Sequence, residues 1–233
     1  MNTNNFNQFL NQISDVALPV IDTKIPLDSY IPIDISEKNT DLSKFNVASA
    51  EEWEIYITSY LGKHKKQVAF GGYIEKRNLY DRSDYFKNVA ESDKRNIHLG
   101  TDLWCKAHTE VLAVLAGEVH SFQHNSNYGD YGPTIILKHV IKDEIFYSLY
   151  GHLSTQSIEN IKIGAAVLQG QVIGTLGVAA VNGEYAPHLH FQIIRDLEDN
   201  FGDYPGVASK NDIPFYKSNC PDPNLLLKVV PLN

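Results

Sequence analysis

The chain of 233 residues holds two cysteines, Cys105 and Cys220, too few for a disulfide framework. One bridge is the most they could form, and two free thiols in a reducing compartment fit better. No apolar run reaches the roughly eighteen residues of a spanning helix, so no membrane span is expected. Positive charge is scarce: 20 Lys and Arg stand against 28 Asp and Glu, a net charge of −8. Nucleic acid and anionic membrane faces both require clustered Lys and Arg, so neither is an expected partner. Tight adsorption to an anionic cell wall also fits this charge poorly. Internal repeats and low-complexity tracts are missing. Met1 to Phe6 has neither a basic stretch nor an apolar one, so no signal peptide is expected. The expected location is the cytoplasm, with a periplasmic or secreted one open if a leader has been removed. What remains is an ordinary globular composition, 43% hydrophobic and 21% charged, enough for one large domain with an N-terminal appendage.

Residues 1–45 alternate short apolar runs with prolines, as in Leu18-Pro19-Val20, Ile25-Pro26-Leu27 and Ile31-Pro32-Ile33, which forbids a long helix. An extended arm is expected, with a short helix from Phe6 to Ile13. Ser49 followed by Glu52 is a capping-box signature, and Trp53, Tyr56, Ile57 and Tyr60 repeat at helical spacing. The reading is a helix over about 50–61, ended by Gly62. Phe70 to Arg77 is a glycine-led run into the body, and Asp84-Tyr85-Phe86 reads as a turn or short helix. Short apolar segments divided by Gly, Asn and Asp then follow: Val111 to Leu115, Thr134 to Leu137, Ile145 to Tyr150, Val172 to Leu176 and Leu189 to Ile194. Such a pattern predicts a mainly β fold, an antiparallel sheet or sandwich. The expected division is an arm and helix over 1–65, packed on a domain over 66–233 whose tail, residues 196–224, is loop-rich.

Three segments carry candidate chemistry. Pro187-His188-Leu189-His190-Phe191 reads as a strand, which sends His188 and His190 to one face and Leu189 and Phe191 to the other, into a core. Two imidazoles side by side suit a divalent transition metal or a proton relay. Upstream stand His98 with Asp102, and between them Gly151-His152-Leu153. Each alone has a plainer reading: a hydrogen-bonded structural histidine, a turn aspartate, a strand-end imidazole. Spacing does not say which of His188 and His190 would bind a metal.

Taken in order, these motifs resemble the lysostaphin-like zinc metallopeptidases that cut peptide cross-links in bacterial cell walls. That family shows HxxxD, a mid-domain HL and a PHLHF strand, with flanking glycine-led strands like Ala116-Gly117-Glu118-Val119 and Gln169 to Gly174. The resemblance implies a duplicated-hybrid-motif-like β core and one Zn2+ held by His98, Asp102 and His190. His152 and His188 are then non-ligand catalytic imidazoles, expected to orient a metal-activated water, take its proton and stabilise the oxyanion. The implied activity is endopeptidase-like hydrolysis of an amide bond. In that family a segment N-terminal to the domain can lie over the cleft.

There are departures from the pattern. Ala107-His108-Thr109-Glu110 replaces a glycine-threonine-proline run, placing Cys105 and His108 where either could line the cleft or compete for metal. Gln192 stands where the wall enzymes commonly carry Glu, and Ala186 where they carry Gly. A narrower resemblance, through Gly72 to Arg77, Asp130 to Thr134, Gly202 to Val207 and Cys220 to Asn224, is to peptidase-like domains of cytosolic fusions with a phosphotransferase and a class III aminotransferase. It implies a cytosolic metalloprotein with a small amine- or phosphate-bearing substrate instead of murein. A non-catalytic binding module and a two-histidine phosphocarrier are the alternatives from other classes; the second leaves Asp102 unexplained. His139 reads as structural, and His64, His120 and His124 as solvated. Tyr128, Tyr131 and Tyr147 read as strand packing, with a loop Tyr beside the cleft as the alternative. Glu75 and Arg77 form either a solvated ion pair or, with one of them facing the cleft, a site for a charged end of the substrate.

Overall fold

Phe6 and Leu10 lie one helical turn apart, and both are buried from α1 (Thr3–Asn11) into the main core. The computed structural model describes residues 3–78 and 92–230; the expected turn at Asp84-Tyr85-Phe86 lies outside the described residues. After α1 the proline-rich segment runs extended to β1 (Tyr30–Pro32), which occupies a sheet edge, where Pro32 interrupts no central ladder. Thus a strand of the expected arm is hydrogen-bonded into the same sheet as the strands that follow. In α2 (Ala50–His64) the Ser49 hydroxyl accepts from the Glu52 amide at 3.2 Å, and Trp53 and Ile57 are buried. The helix does not stop at Gly62. That residue is exposed with no neighbour within 4 Å, so it costs helix propensity only, and the turn comes at Lys65 with φ of 54°.

The strands follow as β2 (Val68–Gly71), β3 (Ile97–His98), β4 (Thr101–Trp104), β5 (Glu110–Leu112), β6 (Gly117–Asn125), β7 (Gly132–Ile141) and β8 (Glu144–Gly151). Short helix α3 (Gln156–Glu159) precedes β9 (Ala166–Val167), β10 (Val172–Thr175), β11 (His188–Ile194) and β12 (Val207–Ala208). Two short helices follow in the tail, α4 (Ile213–Asn219) and α5 (Asn224–Leu227). An eight-stranded sheet runs β1-β2-β4-β11-β8-β7-β6-β9, antiparallel at every pair but β1–β2. Two-stranded ribbons β5–β10 and β3–β12 complete a mainly β architecture, as the sequence predicts.

Every residue of β11 is buried, because the strand is central and covered on both faces. Leu189, Phe191 and Ile193 enter the main core with Leu103, Val111, Leu137 and Tyr150. The alternate face therefore carries His188, His190 and Gln192 against other polar groups. Both cysteines are buried and unbridged. Among the described residues no helix is long and apolar enough to cross a membrane.

Candidate metal centre

Register brings the motifs together. In β11, His190 is paired with Asp102 of β4 on one side and Gly151 of β8 on the other, while His188 is paired with Trp104. Cross-strand partners project from the same face, so the β11 histidines and the Asp102 carboxylate share one surface. His98 arrives from β3 through Leu99 and Gly100. A Cβ on Gly100 would sit 2.7 Å from the His190 ring, so only glycine lets the chain pass this close. His152 follows β8 with φ of 62°, held there by its amide bonding the Tyr131 carbonyl at 2.8 Å and its carbonyl receiving the Gly177 amide at 2.9 Å.

Three acceptor atoms converge. Nε2 of His98 lies 2.9 Å from Nδ1 of His190, and each is 3.2 Å from Oδ1 of Asp102. The far nitrogens hold the protons. Nδ1–H of His98 donates to the Gly72 carbonyl at 3.0 Å, and Nε2–H of His190 donates to Oε1 of Gln192 at 2.9 Å, with the Tyr131 hydroxyl 3.3 Å away. Two lone pairs and a carboxylate oxygen thus face one point, an arrangement that a bound metal cation relieves. Two imidazoles and one carboxylate form a donor set that zinc takes with a fourth position open, and ligand–ligand edges near 3.3 Å follow from its ~2.0–2.1 Å bonds. The donor set fits zinc.

The remaining two imidazoles both have Nδ1 occupied. His188 donates from Nδ1 to the Ala186 carbonyl and His152 from Nδ1 to the Asn182 carbonyl, both at 2.8 Å. Nε2 of His188 lies 3.9 Å from Oδ1 of Asp102, and the His152 and His188 rings are 4.2 Å apart. Burial holds His98 down to about 3 and His188 down to about 4, and pushes His152 well below its ordinary value with help from His188 and His190. Burial alone would raise the Asp102 carboxyl; the neighbouring His98 and the Arg77 guanidinium outweigh it, holding the carboxyl well below the usual range.

A cleft of about 440 Å³ opens over these groups, its walls including Arg77, Arg95, Trp104, Tyr131, Tyr185 and Asp203. Among the described residues, none before Arg77 lines it, so the described part of the arm does not lie over the cleft. Arg77 is buried, with Nη1 2.7 Å from Oδ2 of Asp102 and Nε 2.7 Å from Oε2 of Glu75. Glu75 itself does not reach the cleft wall.

Several residues sit differently from the sequence reading. Tyr131 is not simple strand packing: its ring lies 5.0 Å from that of His190 and its hydroxyl beside Nε2. Tyr128 also lines the cleft. Cys105 and His108 do not; Cys105 faces a second cavity behind Pro187, and His108 is exposed. His120 is half-buried against Tyr147, whereas His64 and His124 are exposed. Trp104, not singled out from the sequence, stacks on His188 at 3.9 Å and 17°, and on Trp53 of α2 at 5.8 Å and 14°. Its place two residues after Asp102, on the same face of β4, is the signal that could have found it.

Comparison with known proteins agrees with this geometry. Residues 96–201 match Peptidase family M23. No curated protein matches the chain. Among solved structures, the catalytic domain of the antimicrobial peptidase lysostaphin from Staphylococcus simulans is 30% identical, over 52% of this chain and 80% of that one, with a TM-score of 0.36. A zinc-containing peptidase from Vibrio cholerae is 25% identical over 46% of this chain and 30% of its own, with a TM-score of 0.36. The catalytic domain of the prophage-encoded M23 protein EnpA from Enterococcus faecalis is 22% identical, over 55% and 92%, with a TM-score of 0.38. Against a longer lysostaphin chain the match spans 50% of that chain's length. The stretch that matches Peptidase family M23, residues 96–201, holds all three motifs in order: His98 with Asp102, His152, and His188 with His190.

Proposed function

We propose that the cleft hydrolyses an amide bond of a peptide related to cell-wall cross-links, with His98, Asp102 and His190 as zinc ligands and His152 and His188 as catalytic residues. The convergence of three proton-free acceptors at 2.9–3.2 Å carries this reading. When bound, the metal supplies a water whose pKa falls to about 7 and polarises the scissile carbonyl. The chain's own residues do the rest. His152 and His188 are neutral imidazoles whose Nδ1–H groups are tied to carbonyls, which leaves Nε2 free to take a proton. Those same carbonyls stabilise the imidazolium that forms, and the proton passes on to the leaving nitrogen. Two such imidazoles divide proton transfer and oxyanion stabilisation between them. Trp104, Tyr131 and Tyr185 line the cleft beside them.

A second reading is supported by the cleft's size and charge. About 440 Å³ lies within the range of small-molecule sites, and Arg95, Asp130 and Asp203 give the walls both signs. A small amide with ionised ends would fit such walls. Two buried, unbridged thiols suit a reducing compartment, which favours a cytoplasmic substrate. Digestion of muropeptides beside a panel of small amides separates the readings. On the true substrate, His152→Ala or His188→Ala should cut turnover by roughly 10²–10⁴ with zinc retained. Unchanged turnover in both variants would remove the acid–base roles.

A further inference from the structure

We infer that Arg77 is a positioning residue for the metal centre, holding Oδ2 of Asp102 so that the carboxylate offers the metal Oδ1 alone. The inference rests on the zinc-ligand reading above and deepens it. The two carboxylate oxygens have separate partners. Oδ1 is the atom 3.2 Å from both His98 Nε2 and His190 Nδ1, whereas Oδ2 receives Nη1–H of Arg77 at 2.7 Å. Asp102 is 1% exposed and Arg77 2%, so solvent does not stand in for either partner. An Arg suits this task because its planar fork holds a fixed angle between donors. Here the fork is divided between two carboxylates, Nη1 to Asp102 and Nε to Glu75 at 2.7 Å. Glu75 is anchored in turn by the Ile35 amide, 3.2 Å from Oε1.

The backbone around Arg77 is built for this placement. The amide of Ile74 bonds the His98 carbonyl, that of His98 bonds the Glu75 carbonyl, and that of Arg77 bonds the Asn96 carbonyl, each at 2.9 Å. Residues 72–77 are thereby fastened along the strand that carries His98. Gly72, with φ of 107°, leaves the room: a Cβ there would lie 2.9 Å from His98 Nδ1 and would overlap the Arg77 guanidinium. The same segment therefore serves two ligands, His98 through the Gly72 carbonyl and Asp102 through Arg77. All of it precedes residues 96–201, the part that matches the family. Sequence reading left Glu75 and Arg77 as either an ion pair or, with one of them facing the cleft, a site for a charged end of the substrate. The contact of Nη1 with Oδ2 supports action through Asp102.

The functional consequence is coordination number. Without the guanidinium, a buried Oδ2 would have lost its donor and would turn to the metal as a second carboxylate oxygen. That would fill the position on which water and substrate depend.

The test uses the full chain with cobalt(II) in place of zinc, because four-coordinate cobalt absorbs visible light far more strongly than five- or six-coordinate cobalt. Wild type, Arg77→Gln and Arg77→Lys are loaded to one metal per chain. Arg77→Gln should lose about half or more of the visible absorption, whereas Arg77→Lys, which keeps a cation within reach of Oδ2, should stay near wild type. X-ray absorption on the wild-type zinc protein needs no variant and should give four light-atom neighbours. Equal spectra for wild type and Arg77→Gln at full loading would overturn the role of Arg77 alone. Five neighbours in wild type, with both Asp102 oxygens bound, would overturn it as well. Failure of the wild type to take up either metal would overturn the ligand assignment together with it.

Discussion

Nε2 of His98 and Nδ1 of His190 stand 2.9 Å apart, each with its proton held on the far nitrogen by an oxygen acceptor. Two facing lone pairs with a carboxylate oxygen beside them repel one another unless a cation lies between. Metal removal should therefore destabilise the protein as a whole. At free zinc a thousandfold above the dissociation constant, binding contributes about 4 kcal/mol. For a chain of this size that corresponds to a melting temperature roughly 10 °C lower in chelator. His190→Ala should melt at the same temperature with and without chelator. A wild-type melting temperature indifferent to chelator would count against a metal at this point.

Gln192 is the acceptor that fixes the His190 tautomer, and its amide nitrogen donates in turn to the Pro205 carbonyl and the Cys220 sulfur, both at 3.2 Å. A neutral amide here pushes less electron density onto the imidazole than a carboxylate would. Gln192→Leu removes the acceptor and should weaken zinc binding about 10- to 100-fold. Gln192→Glu should bind zinc more tightly than wild type, yet its metal-free form should be less stable, since a carboxylate oxygen would then face the Pro205 carbonyl. Competition titration against a chromophoric chelator reads both. Equal affinities in all three proteins would reduce Gln192 to packing.

His139 gives a pH dependence remote from the metal. Nδ1–H donates to the Ala116 carbonyl at 2.9 Å and Nε2 receives the Ser148 hydroxyl at 2.7 Å, so the neutral ring is fully satisfied inside the core. Burial pushes its pKa down to about 4, against 6.5 in the unfolded chain. Below about 6.5 the unfolded state binds a proton that the native state refuses, so stability contributed by the neutral ring is present above that pH and is lost as pH falls toward 4. The loss is on the order of 3 kcal/mol across that window. Denaturant midpoints of the zinc-loaded protein from pH 7 to pH 4, compared with His139→Gln, should show a flatter profile in the variant. Parallel profiles would mean that other groups carry the acid sensitivity.

Local pattern in the sequence determined much of this protein. Period-2 alternation placed Leu189 and Phe191 in the core and both histidines on the opposite face, and β11 follows it. The Ser49–Glu52 spacing located the start of α2, since a cap and its amide partner lie within one turn. Motif order marked His98, Asp102, His152, His188 and His190, because each sits in a short run with its own strand or turn signal. The end of α2 escaped, since a solvent-exposed Gly62 costs too little to break a helix whose Trp53 and Ile57 are anchored in a core. The shell around the metal centre escaped too. Arg77 meets Asp102, Tyr131 and Gln192 meet His190, and Trp104 meets His188 only through the register of β4, β11 and β8 and through the backbone bonds of residues 72–77. Periodicity tells which face a side chain takes, whereas its partner there is decided by strand pairings between residues far apart in sequence, and those are fixed only when the whole sheet closes.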